Sequence, residues 1–175
     1  MDRSVSRWAE ALGGSDETQR RTAARALAIG GQDLRPAMLA LTLAAGDRDD
    51  EVRNWAAEAL ETAGPPAAAD AERFSQLLLD SLRSGEAVDG ESAYWAAKLL
   101  RRLGPEAASA TAALTRVLDE SPFLAVREQA AAALGRIGPA AADATAALRR
   151  AAGEGVPRLA RLALSALDAI RGMAA

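Results

Sequence analysis

The chain has 175 residues, a formal net charge of −3, and a composition that is 50% hydrophobic but only 3% aromatic. This acidic balance argues against a general electrostatic attraction for nucleic acid or anionic membranes. The sequence has no cysteine, which excludes disulfides and thiolate chemistry, and no histidine, which removes the commonest general base and metal ligand.

Apolar residues recur along the chain at the spacing of one helix face, and glycine-containing stops separate the segments that show this pattern. The segment SGEAVDGE, residues 84–91, is predicted to be a loop because its composition is the most loop-like of the chain. In chain order, α-helices are predicted at residues 4–12, 18–29, 34–45, 52–63, 69–82, 92–103, 107–118, 126–137, 140–152 and 159–170.

The plainest copy of the pattern is VREQAAAALGRIGPAAA, residues 126–142. Val126 and Leu134 share one helix face with the apolar residues between them. Gly138 supplies the left-handed residue that commonly ends a helix, and Pro139 suits the first turn of the next helix. The stretch therefore predicts a helix, a sharp stop and the start of a second helix.

The glycine stops recur with a period typical of repeat proteins. Gly31, Gly64, Gly104 and Gly138 are 33, 40 and 34 residues apart, and the predicted loop accounts for the longer interval. A period in this range, with two helices in each unit, predicts an all-α superhelix (an α-solenoid) of about five antiparallel helix pairs. The predicted repeats within this single domain span residues 2–31, 32–64, 65–104, 105–138 and 139–172.

Two copies of the repeat carry a family pattern: DDEVRNWAAEALETAG and VREQAAAALGRIGPAA. An acidic turn, a Val-Arg pair, small residues and a terminal Gly make the chain resemble the bacterial HEAT-like repeat family, of the type found in phycobilisome lyases. The resemblance covers essentially the whole chain. It is weaker in the first repeat, where Gln19 replaces the Val, and in the last, where Ala160 replaces the Arg. The motifs of tetratricopeptide and ankyrin repeats are absent.

The resemblance implies a right-handed superhelix in which the second helix of each pair lines the concave side. The outward residues of these helices would then form a groove of mixed charge. Such a stripe is either a solvated surface with pairs that neutralise each other or a charge-patterned site for a peptide or protein. The predicted partner-binding residues are Arg21, Arg25, Asn54, Glu58, Glu61, Tyr94, Trp95, Lys98, Arg101 and Glu128.

Two tryptophans, Trp55 and Trp95, occupy the same register position in successive repeats. They could form an aromatic contact site for a partner, because tryptophan is a favoured interface anchor. Their position towards the core side of the helix instead favours packing between repeats. Tyr94 is the better candidate for exposure, and Trp8 is expected to pack within the N-terminal helix.

A second register position holds an arginine in three repeats, at Arg20, Arg53 and Arg127. In HEAT proteins this arginine commonly pairs with acidic turn residues of a neighbouring repeat, so the resemblance implies a structural role. The predicted partners are Asp16, Asp47 and Asp119.

Motifs for chemistry are absent from the sequence. There is no Walker-type or dinucleotide-binding glycine loop, and the acidic residues 47–51 lack the order of a calcium loop and are better explained as a helix-capping turn. Iron-binding HEAT-like hydroxylases require histidine ligands that this chain lacks. The chain is therefore predicted to be neither an enzyme nor a cofactor or metal protein.

Three functions remain open. The first is a non-enzymatic scaffold or adaptor that binds a protein or peptide partner through the concave face. The second is an accessory subunit of a modifying enzyme, such as a lyase. The third is nucleic-acid binding, which the overall acidity and the exposed positions of Glu58 and Glu61 disfavour. The cations that would track phosphates are Arg21, Arg25, Lys98, Arg101, Arg102 and Arg136.

The sequence also bears on location and assembly. Residues 1–12 carry charge throughout and lack the apolar core of a secretory signal, and the nearly uncharged residues 36–46 are too few to span a membrane. We therefore expect a cytoplasmic protein. Leu164 lies outside the apolar face of the last predicted helix, so self-association through that helix is also expected.

Overall fold

The computed structural model describes residues 3–84 and 87–172, and these residues contain ten α-helices and no β-strand. In order, the helices are α1 (Arg3–Leu12), α2 (Glu17–Ile29), α3 (Met38–Ala44), α4 (Asp50–Thr62), α5 (Ala71–Ser84), α6 (Ala87–Leu103), α7 (Thr111–Glu120), α8 (Leu124–Ile137), α9 (Thr145–Gly153) and α10 (Pro157–Ile170). The prediction of an all-α chain is confirmed.

Local residue chemistry sets the ends of several helices. Asp16 begins α2 by accepting a hydrogen bond from the Gln19 backbone N–H at 2.9 Å, and Asp49 begins α4 in the same way. Gly104 and Gly138 follow α6 and α8 with φ angles of +61° and +74°, a left-handed conformation that favours glycine. The predicted glycine stops are confirmed at these two positions.

The first helix of each later pair begins with a tight 3₁₀ turn. Residues Gly104–Ala110 and Gly138–Ala144 form such segments ahead of α7 and α9, with a proline in the first turn of each. A proline lacks the backbone N–H that a helix interior needs, so it is tolerated in this first turn. As a result, α7 and α9 start about one turn later than the periodicity predicts.

The prediction of a loop at residues 84–91 is wrong for the part that the structure describes. Ser84 is the last residue of α5, and α6 begins at Ala87, while residues 85 and 86 lie outside the described residues. Gly90 is buried within α6, where a Cβ would lie only 3.0 Å from the Phe123 ring. The extra residues of this repeat therefore lengthen α6 and pack it against the segment before α8.

The helices form two layers. Each odd-numbered helix packs against the even-numbered helix that follows it, and in the even layer α2 packs on α4, α6 on α8, and α8 on α10. One side chain per repeat marks the buried interface in the even layer. These equivalent, almost fully buried leucines are Leu27, Leu60, Leu100, Leu134 and Leu167. This stacking of helix pairs confirms an α-solenoid of five pairs, whereas the exact repeat boundaries stay a prediction.

One step of the stack differs from the others. The backbones of α4 and α6 make fewer close approaches than those of any other successive even helices, and α6 instead packs partly on α3. The Ser92 hydroxyl of α6 donates to the Leu43 carbonyl oxygen at 3.4 Å in this contact. The second and third repeats are therefore joined in a different way from the rest of the array.

Within the described residues, no helix is both long enough and apolar enough to cross a membrane.

Candidate functional site

The predicted partner-binding residues all lie on the even layer, and we call the outward surface of α2, α4, α6, α8 and α10 the even-helix face. Their exposure differs widely. Arg25, Asn54, Glu58 and Glu61 are exposed, Arg21, Tyr94 and Arg101 are half-buried, and Trp95, Lys98 and Glu128 are buried.

The prediction of an outward position is wrong for Lys98 and Glu128, and the burial of Trp95 agrees with packing between repeats and contradicts its place among the partner-binding residues. Trp95, Lys98 and Glu128 are only 5%, 8% and 7% exposed. Trp95 therefore packs in the core and does not form an aromatic contact surface with Trp55. Trp55 is half-buried, so the tryptophans at the same register position have different environments.

Lys98 is buried because aromatic rings and a carboxylate surround its amine. The Lys98 Nζ lies 4.3 Å from the centre of the Trp95 ring and 5.6 Å from that of Tyr94, and it donates a hydrogen bond to Glu61. The two rings meet edge to face, with centres 5.7 Å apart and an interplanar angle of 88°. A cation over an aromatic face is stabilised more strongly when water is excluded. The hydrogen bond from Lys98 to Glu61 connects this cluster on α6 to α4.

Arg102 makes a second connection across the same step. Its Nη1 donates to the carbonyl oxygens of Leu60 at 2.5 Å and Ala63 at 3.0 Å, and its Nη2 lies 3.3 Å from a Glu61 carboxylate oxygen. The last carbonyl groups of a helix have no partner within the helix and carry its negative dipole end. Arg102 therefore caps α4, which compensates for the looser packing between α4 and α6.

At the N-terminal end of the even-helix face, Arg21 takes part in a structural ion-pair network. Its guanidinium lies 2.5 Å from a Glu17 carboxylate oxygen and 2.6 Å from one of Asp49. The side-chain hydrogen bond between Arg21 and Asp49 raises the pKa of Arg21 and holds the pKa of Asp49 well below its usual range. Nearby, the guanidinium of Arg25 lies 5.9 Å from the centre of the Trp55 ring.

The predicted pairing of the recurrent arginine is confirmed at Arg20, whose Nε donates to Asp47 of the next repeat at 2.8 Å. The prediction is wrong for Arg53. This side chain pairs with Asp50 of its own first turn and also donates to the Asp47 backbone carbonyl at 2.8 Å.

The last of the three arginines also has a partner other than the predicted one. Arg127 pairs with Glu154 in the following repeat, while Asp119 pairs with Arg150 at 2.6 Å. Asp16 is used as the helix cap of α2. Arg127 therefore forms an ion pair with a neighbouring repeat as predicted, but its acidic partner is Glu154 and not Asp119.

A groove of about 660 Å³ crosses α6, α8 and α10 on the even-helix face. Arg101, Arg102 and Arg136 line it together with small and apolar residues. Arg102 is occupied by the end of α4, but the side chains of Arg101 and Arg136 form no hydrogen bond or ion pair with any residue that the structure describes. We call this surface the basic groove.

The sequence predicts Arg101 on the binding face but Arg136 only as a phosphate contact. The available signal was register, because Arg102 and Arg136 are separated by the same interval as Gly104 and Gly138. The register position alone does not show that Arg102 caps a helix, whereas the side chain of Arg136 has no partner among the described residues.

One buried polar atom on α8 has no hydrogen-bond partner among the described residues. The Oε1 atom of Gln129 is buried and accepts no hydrogen bond from the described residues. Its neighbour Glu128 forms an ion pair with Arg158 of α10 at 3.2 Å.

Among the described residues, no group of three or more acidic side chains is placed to hold a metal ion. Of the predicted partner-binding residues, the exposed ones are polar or charged.

Comparison with known proteins identifies the fold. No protein-family model and no curated protein matches the chain. Among solved structures, it is similar to an engineered protein from a structural genomics consortium, with a TM-score of 0.62 and 22% identity over 95% of this chain and 78% of that one. It is also similar to a designed armadillo repeat protein in complex with the peptide (KR)4, with a TM-score of 0.61 and 18% identity over 95% of this chain and 81% of that one. These similarities show a helical repeat solenoid.

Proposed function

We propose that this chain is a non-enzymatic, HEAT-like binding module that holds a segment of a partner protein against its even-helix face. The observation that carries the proposal is the basic groove, which crosses three successive even helices and contains arginines with no structural partner among the described residues. Rigid stacked helices present such a surface at little ordering cost, which favours binding of an extended segment.

The comparison with the designed armadillo protein supports a peptide as the partner. That protein forms a complex with the basic peptide (KR)4 and shares the stacked-helix fold. The peptide itself would not suit the basic groove, where Arg101 and Arg136 are cations. Charges across an interface are usually complementary, so the side chains of the groove select a partner other than a basic peptide. The shared fold supports only the binding of a peptide along stacked helices.

The paired state of the other cations disfavours the nucleic-acid alternative. Binding along a phosphate backbone needs several free cations in series. The four that are already engaged, by carboxylates, carbonyl groups or an aromatic ring, are Arg21, Arg25, Lys98 and Arg102. An accessory role in a modifying enzyme would also use a protein-binding face and is a special case of the proposal.

Selection from a phage library of random dodecapeptides tests the proposal. The peptides enriched on the wild-type chain are measured against Ser165→Tyr, which fills the basic groove from an exposed position on α10. Ala146→Tyr, at an exposed position on α9, is the matched control. We expect affinity to fall about tenfold or more with Ser165→Tyr and to be kept with Ala146→Tyr. The proposal fails if no peptide is enriched, or if the two variants bind the selected peptides equally well.

Self-association and a cytoplasmic location remain predictions. Leu164 is 54% exposed on α10, in agreement with its place outside the apolar face. If α10 forms a contact between copies, Leu164→Glu should abolish a concentration-dependent rise in mass by light scattering. A wild-type chain that stays monomeric at high concentration would refute this contact.

A further inference from the structure

We propose that the basic groove binds an acidic segment of the partner protein, with carboxylate side chains on Arg101 and Arg136 and an apolar side chain between them. This inference rests on the proposed function and names the chemistry of its ligand.

The guanidinium groups of Arg101 and Arg136 are free to bind a ligand. Arg101 is half-buried near the end of α6, and Arg136 is exposed near the end of α8. Neither forms a bond to the described residues, whereas the equivalent of Arg136 in the previous repeat, Arg102, is held by the carbonyl groups of α4. Because the two guanidinium groups have no structural role, they can donate hydrogen bonds to an external ligand. Arginine favours carboxylates because its planar guanidinium donates two parallel hydrogen bonds.

The floor of the groove offers an apolar surface between the two arginines. It is formed by small residues of α8 and α10 beside Leu162. Gly135 allows this, because a Cβ there would lie 3.0 Å from the Ala166 Cα, so the two helices approach more closely than a larger residue permits. An apolar side chain of the ligand can lie on this floor while its charged neighbours reach the rim.

The charges around the groove give it a positive local electric field. The nearest carboxylate of α4, Glu61, is neutralised by Lys98 and Arg102, so it does not compensate the two free arginines. Asp168 is exposed on α10 but does not line the groove. The groove therefore carries a local positive charge on a chain whose net charge is −3. Such a patch steers an acidic segment at low ionic strength.

The surface beyond the groove favours an acidic protein segment over nucleic acid. A nucleic-acid strand that entered the groove would continue along the face towards α4, where Glu58 is exposed and has no ion pair with the described residues. A short peptide can end within the groove and avoid this carboxylate. The two unpaired arginines that line the groove also offer few of the phosphate contacts on which nucleic-acid binding depends.

Fluorescence anisotropy with a defined probe tests the inference. The probe is the fluorescein-labelled peptide GEDLEDG, and the reversed-charge peptide GKRLKRG is its control. The groove variant is Arg101→Ala/Arg136→Ala. The matched control is Arg7→Ala/Arg149→Ala, which removes the same charge from exposed positions on α1 and α9, where neither side chain has an ion pair with the described residues. Circular dichroism verifies that both variants keep the helical content of the wild type.

We expect the acidic probe to bind the wild type at low salt and to lose about tenfold or more in affinity with the groove variant, but less than about twofold with the control variant. The reversed-charge peptide should not bind. Equal losses with the two variants would show nonspecific attraction and overturn the inference, as would absence of binding or stronger competition by a DNA oligonucleotide than by unlabelled acidic peptide. If the phage selection yields groove-dependent peptides that are not acidic, the proposed function stands and only this inference fails. If it yields no peptide, both fail.

Discussion

The close approach of α8 and α10 can be tested by adding a single methyl group. At position 135 only glycine fits without displacing α10, because a Cβ would lie 3.0 Å from the Ala166 Cα and 3.1 Å from the Ala166 Cβ. The first of these atoms is backbone, so relief requires α10 to move as a whole. Gly153, at the end of α9, is the matched control, since a Cβ there meets nothing within 4 Å.

The expected energies have opposite signs at the two sites. Replacing glycine by alanine in a helix gains about 0.5–1 kcal/mol, because alanine has less backbone freedom to lose. Adding a methyl group to a closely packed interface costs about 1–3 kcal/mol. We therefore expect the free energy of unfolding of Gly135→Ala to be about 1–3 kcal/mol lower than that of Gly153→Ala.

Urea denaturation followed by far-UV circular dichroism measures this difference. Equal m-values for both variants would show that the change lies in stability and not in the cooperativity of the repeat array. A Gly135→Ala variant that is as stable as Gly153→Ala would refute the close packing of α8 on α10, on which the floor of the basic groove depends.

Three further predictions concern stability. Leu134 is fully buried, so Leu134→Ala should cost about 2–5 kcal/mol in urea denaturation, and a loss below about 1 kcal/mol would contradict its core position. Arg102→Ala should destabilise the chain by about 1.5–3 kcal/mol, because it removes a charged donor from the carbonyl groups that end α4; an unchanged midpoint would refute the capping role. The bond from Arg21 lowers the pKa of Asp49 below its ordinary value of 3.8, so the stability that this carboxylate contributes is present above that value and is lost as the pH falls through the lower folded-state pKa. Asp49→Asn keeps a capping oxygen but should reduce the fall in melting temperature between about pH 4 and about pH 2, and an unchanged pH profile would contradict this assignment.

Local pattern was sufficient for the architecture. Helical periodicity predicts which side of each segment is apolar, and the period of the glycine stops places Leu60, Leu100 and Leu134 in equivalent core positions that are fully buried in the structure. These features depend on residues within one or two helices, so no knowledge of distant contacts is needed. The aspartate caps and the left-handed glycines are local in the same sense.

The candidate site depended on contacts between repeats that the sequence pattern does not contain. Lys98 and Glu128 lie at positions that would be exposed on an isolated helix pair, but Glu61 covers the first and Arg158 pairs with the second. Residues at the edge of an apolar face are buried or exposed according to how closely the next repeat approaches. The choice of partner for Arg127 is open for the same reason, since acidic residues of several turns are within reach of a long side chain.

By itself, the sequence determined that this protein is a solenoid of helix pairs, because helix faces, caps and stops are encoded at short range. Only the tertiary structure decided which charges are free. Whether an arginine such as Arg102 caps a helix or, like Arg136, faces a groove without a partner among the described residues depends on the spacing of α4, α6 and α8. That spacing is set by the packing of side chains from different repeats, and this is the part of the fold that a local pattern cannot express.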